Sequence, residues 1–400
     1  MSITAGVERS SNGLIWPTNL GDIKISVDER TILEKKIVSS KEKLSPRTAS
    51  NEPMFYVPKS PLCPRRLDIG HDHAFVVLNR HGGMPMFDKT GAQQKSIKFV
   101  WDCISGSFWL KKRGRRDKQD DALRYVRYGL AVGRSESGFP RIVNDSCSAS
   151  SKGKSRYFEK KASHSLPEWL KEFGPNFDVG DIIGLVDALR KIHAARYEPA
   201  KFCSMFVKGS YSSFGTTHTL FHGDISPNNI ICEARKDEKT GKTFPRLMLT
   251  DLSNIGDLSK LMWTPGWASP ECIQFAKTHT KYQEMCTSDF LAKYGAVKDA
   301  WAMGLILGSL LRGGFHPQYE DHLPRFSFIT SKLTIDDSGR VVDERGLADI
   351  TQEEIDRKID VLIAEASSDG VKALWNCVKK YLTIDPEGRP TMAEYSISMS

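Results

Sequence analysis

Three polar side chains stand close together in the segment FHGDISPNNII, which spans residues 221–231. They are His222, Asp224 and Asn229, and apolar residues lie on both sides. The stretch IICEA after them and the stretch RLMLT before Asp251 look like short buried strands, so we expect a hairpin whose ends carry Asp224, Asn229 and Asp251. Two carboxylates and an amide oxygen supply the hard oxygen ligands that suit Mg²⁺ bridging nucleotide phosphates. The remaining Asp can then accept a proton from an attacking hydroxyl, which points to phosphoryl transfer.

The elements that must hold these residues change in kind along the chain. Residues 72–113 contain the runs HAFVVLN, SIKFVWD and SFWLKKR, separated by turn formers, and these runs predict strands. The stretch DKQDDALRYVRYGLAV has helical spacing, and the short runs PRIV and RYFEK complete a small sheet with one helix. After residue 165 the apolar spacing is helical, as in DIIGLVDALRKIHAARY, and Thr351 with Glu354 predicts a capped helix start. The sequence therefore predicts an α+β fold.

Composition divides the chain into three parts. Residues 1–65 are rich in Ser, Lys, Glu and Pro with weak periodicity, and we expect a partly ordered N-terminal extension there. Residues 66–162 form the sheet part, and residues 163–400 form the larger helical part. A chain of 400 residues is long enough for two or three such lobes.

Bulk properties exclude several classes of protein. The apolar run AWAMGLILGSLL at 300–311 is shorter than the ~20 residues that cross a bilayer, so we expect no membrane span. Residues 1–13 show no secretory signal pattern, and the eight cysteines form no CxxC pair, which favours reduced thiols in a cytoplasm. The net charge of +8 raises the question of nucleic acid. Only KKRGRRDK at 111–118 is dense enough, and it lacks interleaved aromatics, so a nucleic-acid partner is not favoured.

The segment HGDISPNN resembles the catalytic loop H-R-D-L-K-x-x-N of protein kinases, with matches at His222, Asp224 and Asn229. The resemblance implies that Asp224 is the catalytic base, that Asn229 is a metal ligand and that His222 is a structural support. It also implies that Asp251, in LTDLSN, is the metal-binding Asp of the D-F-G triplet.

Three further segments resemble kinase motifs in the same order. TPGWASPE at 264–271 is similar to the end of the activation segment, so Thr264 would contact the catalytic Asp and favour Ser/Thr substrates. DAWAMGLIL looks like the helix that anchors the catalytic loop, with Asp299, Trp301 and Gly304 in register. DPEGRPTM supplies Arg389, which would pair with the distant Glu271. The resemblance covers residues 75–395 and implies a bilobal kinase fold that uses ATP and Mg²⁺ on a protein substrate.

The sheet part departs from the kinase pattern. Only RHGGM, with Gly82 and Gly83, offers paired glycines where a phosphate-covering loop would lie, and an ordinary hairpin turn is an equal reading. Two lysines compete for the phosphate-binding role. We prefer Lys98, which has the small Ser96 before it. Lys111 lies at a more usual separation from the RYFEK strand but follows the bulky Trp109, and either lysine can be plain surface charge.

A carboxylate partner for that lysine is expected on the following helix. The candidates there are Asp120 and Asp121, of which we choose Asp121.

Two departures in the helical part bear on regulation and rate. Gly223 replaces the arginine before the catalytic Asp, so control by activation-segment phosphorylation is not expected. Ser226 stands in the catalytic loop where the family has the lysine that neutralises the transferred phosphate, which implies slower transfer or another source of positive charge. The short segment from Asp251 to Glu271 favours constitutive activity or a regulatory protein partner.

Two other classes of function stay open at this point. A pseudokinase would keep the fold as a scaffold without turnover, and the His222-Gly223-Asp224 triplet also suits a small-molecule phosphotransferase. The divergence is similar to that of fungal kinase-like proteins and of kinases that bacterial pathogens deliver into host cells. The expected location is the cytoplasm, or the host cytoplasm for such an effector.

Overall fold

Alternating apolar residues between positions 67 and 115 form strands of one antiparallel sheet in the computed structural model of the chain. The molecule is a mixed α+β structure with antiparallel sheets and, within the described residues, seven α-helices. The structure describes residues 6–18, 25–44, 55–57, 59–63, 65–78, 98–115, 138–140, 142–144, 154–175, 177–194, 196–197, 218–236, 241–252, 255–256, 258, 261–264, 266–278, 284–315, 334–335, 341–343 and 350–395.

The chain divides into two compact units. The first unit comprises Met1–Ser135 and Pro140–Ala162, and the second comprises Glu136–Phe139 and Ser163–Ser400. The main boundary in the chain therefore falls between residues 162 and 163.

The first unit contains a seven-stranded antiparallel sheet with the strand order β3-β4-β5-β6-β7-β9-β8. Its strands, together with the preceding hairpin and helix, are β1 Val7–Arg9, β2 Ile15–Pro17, α1 Val27–Lys41, β3 Phe55–Val57, β4 Leu67–Ile69, β5 Ala74–Val77, β6 Lys98–Asp102, β7 Ser107–Arg115, β8 Ile142–Asn144 and β9 Lys154–Lys160.

Because side chains alternate along a strand, the sheet has two faces. One face carries an aromatic cluster, defined as the buried residues Phe75, Val77, Val100, Trp109 and Phe158. Phe75 stacks on Phe158 with ring centroids 4.2 Å apart and meets Trp109 edge to face at 5.3 Å. Three large rings therefore pack together on this face.

The N-terminal segment covers the other face. Leu33 and Ile37 of α1 and Trp16 of β2 are buried in one cluster with Leu67 and Trp101 of the sheet. The Ser26 hydroxyl accepts a hydrogen bond from the Glu29 amide and so caps the start of α1. The region 1–65, expected to be a partly ordered extension, thus contributes a helix and part of the core of the first unit.

The second unit is mainly helical. Its elements are β10 His164–Ser165, α2 Leu166–Phe173, α3 Val179–Ala194, β11 Arg196–Tyr197, β12 His218–Thr219, β13 Ile230–Lys236, β14 Thr243–Leu249, α4 Pro270–Thr278, α5 Glu284–Leu311, β15 Thr334–Ile335, β16 Val341–Asp343, α6 Gln352–Glu365 and α7 Asp369–Tyr381. Helix α2 begins at a capping box, in which Ser165 and Glu168 satisfy each other's backbone amides. Thr351 caps α6, as the sequence predicts.

Helix α5 is buried along much of its length in the second unit. Nearly all of its residues from 295 to 310 are buried, which agrees with the all-round apolar character of that stretch. At Gly304 a Cβ atom would lie 3.0 Å from Tyr381, so the missing side chain lets α7 approach closely. Among the described helices, none has the length and apolarity that a bilayer crossing requires.

The expected hairpin is formed by β13 and β14, whose registered pairs run from Ile230 with Leu249 to Lys236 with Thr243. Strand β10 extends it to a three-stranded sheet by pairing with β13. Ile230, Cys232 and Leu249 are buried, so hydrophobic burial fixes the register of the hairpin. The hairpin therefore carries Asn229 and Thr250 at the same end.

Candidate functional site

The loop that contains Asp224 is attached to α5. A Cβ atom at Gly295 would overlap the ring of Phe221, so this glycine makes room for the start of the loop. Asp299 accepts hydrogen bonds from the amides of His222 at 2.5 Å and of Gly223 at 3.1 Å. A carboxylate that binds two successive amides fixes the path of the backbone just before Asp224.

His222 links this loop to the end of the hairpin. The side chain is fully buried, its Nε2 lies 2.8 Å from the carbonyl oxygen of Thr250, and the Asp224 amide points at its Nδ1 at 3.3 Å. Because the amide can only donate, Nδ1 must be the acceptor and Nε2 must carry the proton. His222 thus holds Thr250, the neighbour of Asp251, against the loop.

Asp299 is ionised in spite of its burial. Burial alone would raise the pKa of this carboxyl group, but His193, whose Nε2 lies 3.5 Å from Asp299 Oδ2, and the positive charge of Lys298 hold the pKa below its usual range. The loop is therefore anchored by charge-assisted hydrogen bonds.

Both carboxylate oxygens of Asp224 are oriented by neighbouring side chains. Thr264 Oγ1 donates to Oδ1 at 3.0 Å, and Asn229 Nδ2 donates to Oδ2 at 3.1 Å. Asn229 Nδ2 also binds the Asp224 carbonyl at 2.7 Å. The expected contact between Thr264 and Asp224 is present, and Asp224, Asn229 and Thr264 form one hydrogen-bonded group. A carboxylate held in this way is suited to accept a proton from a bound hydroxyl.

Asp251 follows the same end of the hairpin. The Thr250 amide donates to the Asn229 carbonyl at 2.9 Å, so Asp251 lies one residue beyond a direct link to Asn229. Asp251 has φ 55°, and it is the non-glycine residue with positive φ in the described part of the chain. Such a conformation costs about 1–3 kcal/mol, and residues held in it cluster at functional sites.

Asn229 and Asp251 offer a donor set that fits Mg²⁺. The Nδ2 of Asn229 faces Asp224, so its Oδ1, on the other arm of the planar amide, is the atom left to act as a ligand. Within the described ranges no group of three or more His, Cys, Asp or Glu side chains could hold a metal ion by itself. One carboxylate and one amide oxygen suit an ion that takes its other ligands from substrate phosphates and water.

Ser226 starts the short 3-10 turn Pro227–Asn229 and is buried. Its carbonyl accepts the Asn229 amide at 3.0 Å. Among the described residues its side chain makes no hydrogen bond to Asp224. Ser226 thus shapes the turn that presents Asn229.

A buried ion pair fixes the segment that follows Thr264. Arg389 binds Glu271 through two parallel hydrogen bonds of 2.7 and 3.0 Å, and its guanidinium lies 5.0 Å above the ring of Trp301. The predicted pairing of Glu271 with Arg389 is confirmed. Glu271 lies in the first turn of α4, so the pair fixes the end of the 264–271 segment.

In the first unit, Lys111 is a buried cation on β7, an interior strand of the seven-stranded sheet. Its side chain is 1% exposed, and its Nζ lies 2.5 Å from Asp68 Oδ2 and 4.8 Å from the ring centroid of Phe158. Arg66 approaches the same carboxylate at 3.4 Å. Lys111 is therefore not part of a solvated basic run, although it opens KKRGRRDK.

Lys98, the preferred candidate from the sequence, is the direct cross-strand partner of Lys111 on β6. The three remaining candidates, Gly82, Gly83 and Asp121, lie outside the described residues.

Sequence reasoning missed two residues at these sites. Asp68 was not considered as a partner of Lys111, although a carboxylate between Leu67 and Ile69 in a strand is a visible signal of a buried charge. Lys298 was also missed: it directly precedes Asp299, is buried, and donates to the Gly223 carbonyl at 2.6 Å.

A pocket opens beside the Asp224 group. It is lined by Asp224, Ile225, Trp263, Thr264, Trp267, Ala268, Lys298 and Ala302. The pocket thus combines the oriented carboxylate, one buried cation and two large aromatic surfaces.

Comparison with known proteins gives no identification. No protein-family model matches the chain, and no curated protein matches it significantly. Function is therefore argued from the site.

Proposed function

We propose that this chain is a divergent Ser/Thr protein kinase with a bilobal fold, which transfers the γ-phosphate of ATP to a protein hydroxyl. The observation that carries the proposal is the Asp224 group: Thr264 and Asn229 orient the two carboxylate oxygens, and Asp299 anchors the backbone before them. Four motifs far apart in the sequence supply these residues and the Glu271–Arg389 pair.

In the proposed reaction the oxygen of a Ser or Thr side chain forms a bond to the γ-phosphorus of ATP. The bond between that phosphorus and the oxygen bridging to the β-phosphate breaks, and ADP leaves with the electron pair. The hydroxyl proton passes to the Asp224 carboxylate. Thr264, bound to Asp224 Oδ1 at 3.0 Å, keeps the carboxylate facing the pocket where the hydroxyl would lie.

Asn229 and Asp251 would hold Mg²⁺. The ion supplies charge neutralisation for the phosphates when it is bound. Asn229 Nδ2 binds Asp224, so one amide group serves both the base and the proposed ion. The strained backbone of Asp251 supports a role for this residue beyond packing.

We infer that Lys111 is a better candidate than Lys98 for the lysine that binds ATP phosphates. A kinase uses a lysine on a strand, held by a carboxylate. Lys111 lies on β7, and the segment that follows β7 was predicted to form a helix. The carboxylate partner of Lys111 is Asp68, whose Oδ2 lies 2.5 Å from its Nζ. Asp68 would then take the role for which Asp121 was predicted.

Regulation by phosphorylation of the 251–271 segment is not expected. Residue 223 is glycine, and Arg389 is committed to Glu271 and to the carbonyls of Thr383, Val297 and Ile384. Regulation by a protein partner is more consistent with these contacts than regulation by phosphorylation. A cytoplasmic location is also proposed, because Cys63, Cys103, Cys232, Cys272 and Cys377 are free and buried.

The test is transfer of labelled phosphate from γ-labelled ATP, with Mg²⁺, onto a mixture of proteins. Wild type is compared with Asp224→Asn and with Asp187→Asn, in which a partly exposed carboxylate on α3 is changed as a matched control. We expect label on Ser or Thr with wild type and the control, and at least about 100-fold less with Asp224→Asn, because a general base contributes ~10²–10⁴ in rate. Label confined to small metabolites would instead identify a small-molecule phosphotransferase.

One observation favours a second candidate, a pseudokinase that acts as a scaffold. Trp109 is two residues before Lys111 on β7, hence on the same face, and it is fully buried in the aromatic cluster. A nucleotide base needs space beside the phosphate-binding lysine. The rings of Phe75, Trp109 and Phe158 lie on the face of the sheet that carries Lys111. Absence of a thermal shift with ATP and Mg²⁺, together with no phosphate transfer by wild type, would favour the scaffold.

A further inference from the structure

Lys298 is a buried lysine whose position needs an explanation. It lies on α5 with 5% of its surface exposed, and its Nζ donates to the Gly223 carbonyl at 2.6 Å. Asp299 Oδ1 lies 3.8 Å from the Lys298 Nζ. Burying an ammonium group costs several kcal/mol unless it is paired and hydrogen-bonded, so an apolar residue would be the simpler choice for packing alone.

Two adjacent residues of α5 hold Gly223 from both sides. Asp299 accepts the Gly223 amide at 3.1 Å, and Lys298 binds the Gly223 carbonyl. Gly223 has φ 91°, in the left-handed region that favours glycine. The carbonyl that Lys298 binds belongs to the peptide bond that leads into Asp224. The orientation of the peptide group that leads into Asp224 therefore depends on the hydrogen bond from Lys298.

Charge balance points to the same residue. Resemblance to kinases predicts cations at positions 223 and 226, and this chain has glycine and serine there. Lys298 lines the pocket together with Asp224 and Thr264, and it is the one cation among the described residues that line it. A phosphoryl group brings several negative charges, which a buried positive charge stabilises more strongly than an exposed one.

We propose that Lys298 is a positioning residue of the phosphoryl-transfer site: it fixes the peptide that leads into Asp224, and its buried charge replaces the cations missing at positions 223 and 226. This inference rests on the proposed function for its effect on rate. Its effect on the loop is independent of turnover.

Three substitutions separate the two parts of the proposal. Lys298→Met removes the donor and the charge, Lys298→Gln keeps a donor without the charge, and Lys298→Arg keeps both. Lys293→Met is the matched control, because Lys293 is an ion-paired lysine on the same helix whose side chain is 58% exposed. Transfer rates are measured per folded molecule, with the folded fraction taken from circular dichroism.

We expect Lys298→Met to lower kcat at least tenfold with little change in KM for ATP, and Lys298→Arg to recover most of the loss. Lys298→Gln should lie between them, and Lys293→Met should stay within twofold of wild type. Wild-type kcat in Lys298→Met would overturn the proposal. Equal rates for the Gln and Arg variants would overturn its charge component. If Lys298→Met does not fold, the comparison of Gln with Arg decides.

A second measurement does not need turnover. The amide nitrogen of Asp224 shares a peptide group with the Gly223 carbonyl, so its NMR resonance reports the Lys298 hydrogen bond. We expect a shift of that resonance in Lys298→Met and its return in Lys298→Arg, even if wild type transfers no phosphate. In that case the kinase proposal fails while the positioning of the loop stands. An Asp224 resonance that is the same in all variants would refute the positioning role.

Discussion

The Glu271–Arg389 pair gives a prediction that does not depend on any activity. The two side chains are 9% and 0% exposed and share two hydrogen bonds. Removal of one partner leaves the other charge buried and unpaired, which costs about 3–5 kcal/mol. Replacement of both by methionine leaves no buried charge, and such replacement is often neutral or even stabilising.

The expected result is therefore strong non-additivity. Glu271→Met and Arg389→Met should each lower the free energy of unfolding by about 3–5 kcal/mol, whereas the double variant should lose no more than either single variant. The coupling energy would then be at least about 3 kcal/mol, well above the error of such cycles. Some loss should remain in the double variant, because the carbonyls of Thr383, Val297 and Ile384 lose their donor.

Urea unfolding followed by tryptophan fluorescence measures these energies. Asp360 and Lys379 form a more exposed ion pair at 2.7 Å in the same unit and provide the control cycle, with an expected coupling below about 1 kcal/mol. The reasoning is refuted if the losses of Glu271→Met and Arg389→Met add to within about 0.5 kcal/mol in the double variant.

Three further predictions concern the site and the buried thiols. Thr264→Val should lower kcat for phosphate transfer about tenfold, because a hydrogen bond to a charged group contributes about 1.5 kcal/mol or more. Thr264→Ser keeps the hydroxyl and should keep most of the activity. Equal kcat values in the two variants would contradict this prediction. Asp251→Gly should have a higher melting temperature than Asp251→Ala, because only glycine adopts φ 55° without strain, and the reverse order would argue against strain. Burial raises the pKa of Cys272 and of Cys377 to about 12, so at pH 8 iodoacetamide should label both thiols only after unfolding has exposed them and returned their pKa to its ordinary range. Labelling of either thiol in the native protein, read by mass spectrometry, would contradict the last prediction.

Two long-range contacts of the second unit were predicted through motifs that resemble those of protein kinases. Arg389 and Glu271 are 118 positions apart, and Thr264 is 40 positions from Asp224. No local periodicity connects such residues. Both pairings were implied by the resemblance to kinase motifs, and the structure gives their physical reason: a buried guanidinium needs a carboxylate, and an oriented carboxylate needs a hydrogen-bond donor.

The first unit was harder to predict for two physical reasons. Helix α1 buries only Leu33, Ile37 and Ser40, whereas its apolar residues Val27 and Val38 are exposed, so its apolar period is too weak to detect. The partner of Lys111 comes from β4, 43 positions earlier, and only the order and register of the strands bring Asp68 to it. Pairing across a sheet depends on register, which a short segment does not reveal.

The packing of α1 and β2 against the sheet has a practical consequence for recombinant work. A fragment that begins at residue 66 would leave Leu67 and Trp101 without the cover of Trp16, Leu33 and Ile37. An uncovered apolar surface of this kind promotes self-association and poor yield. Expression of the first unit should therefore include residues 1–65, even though their composition predicts only a partly ordered extension.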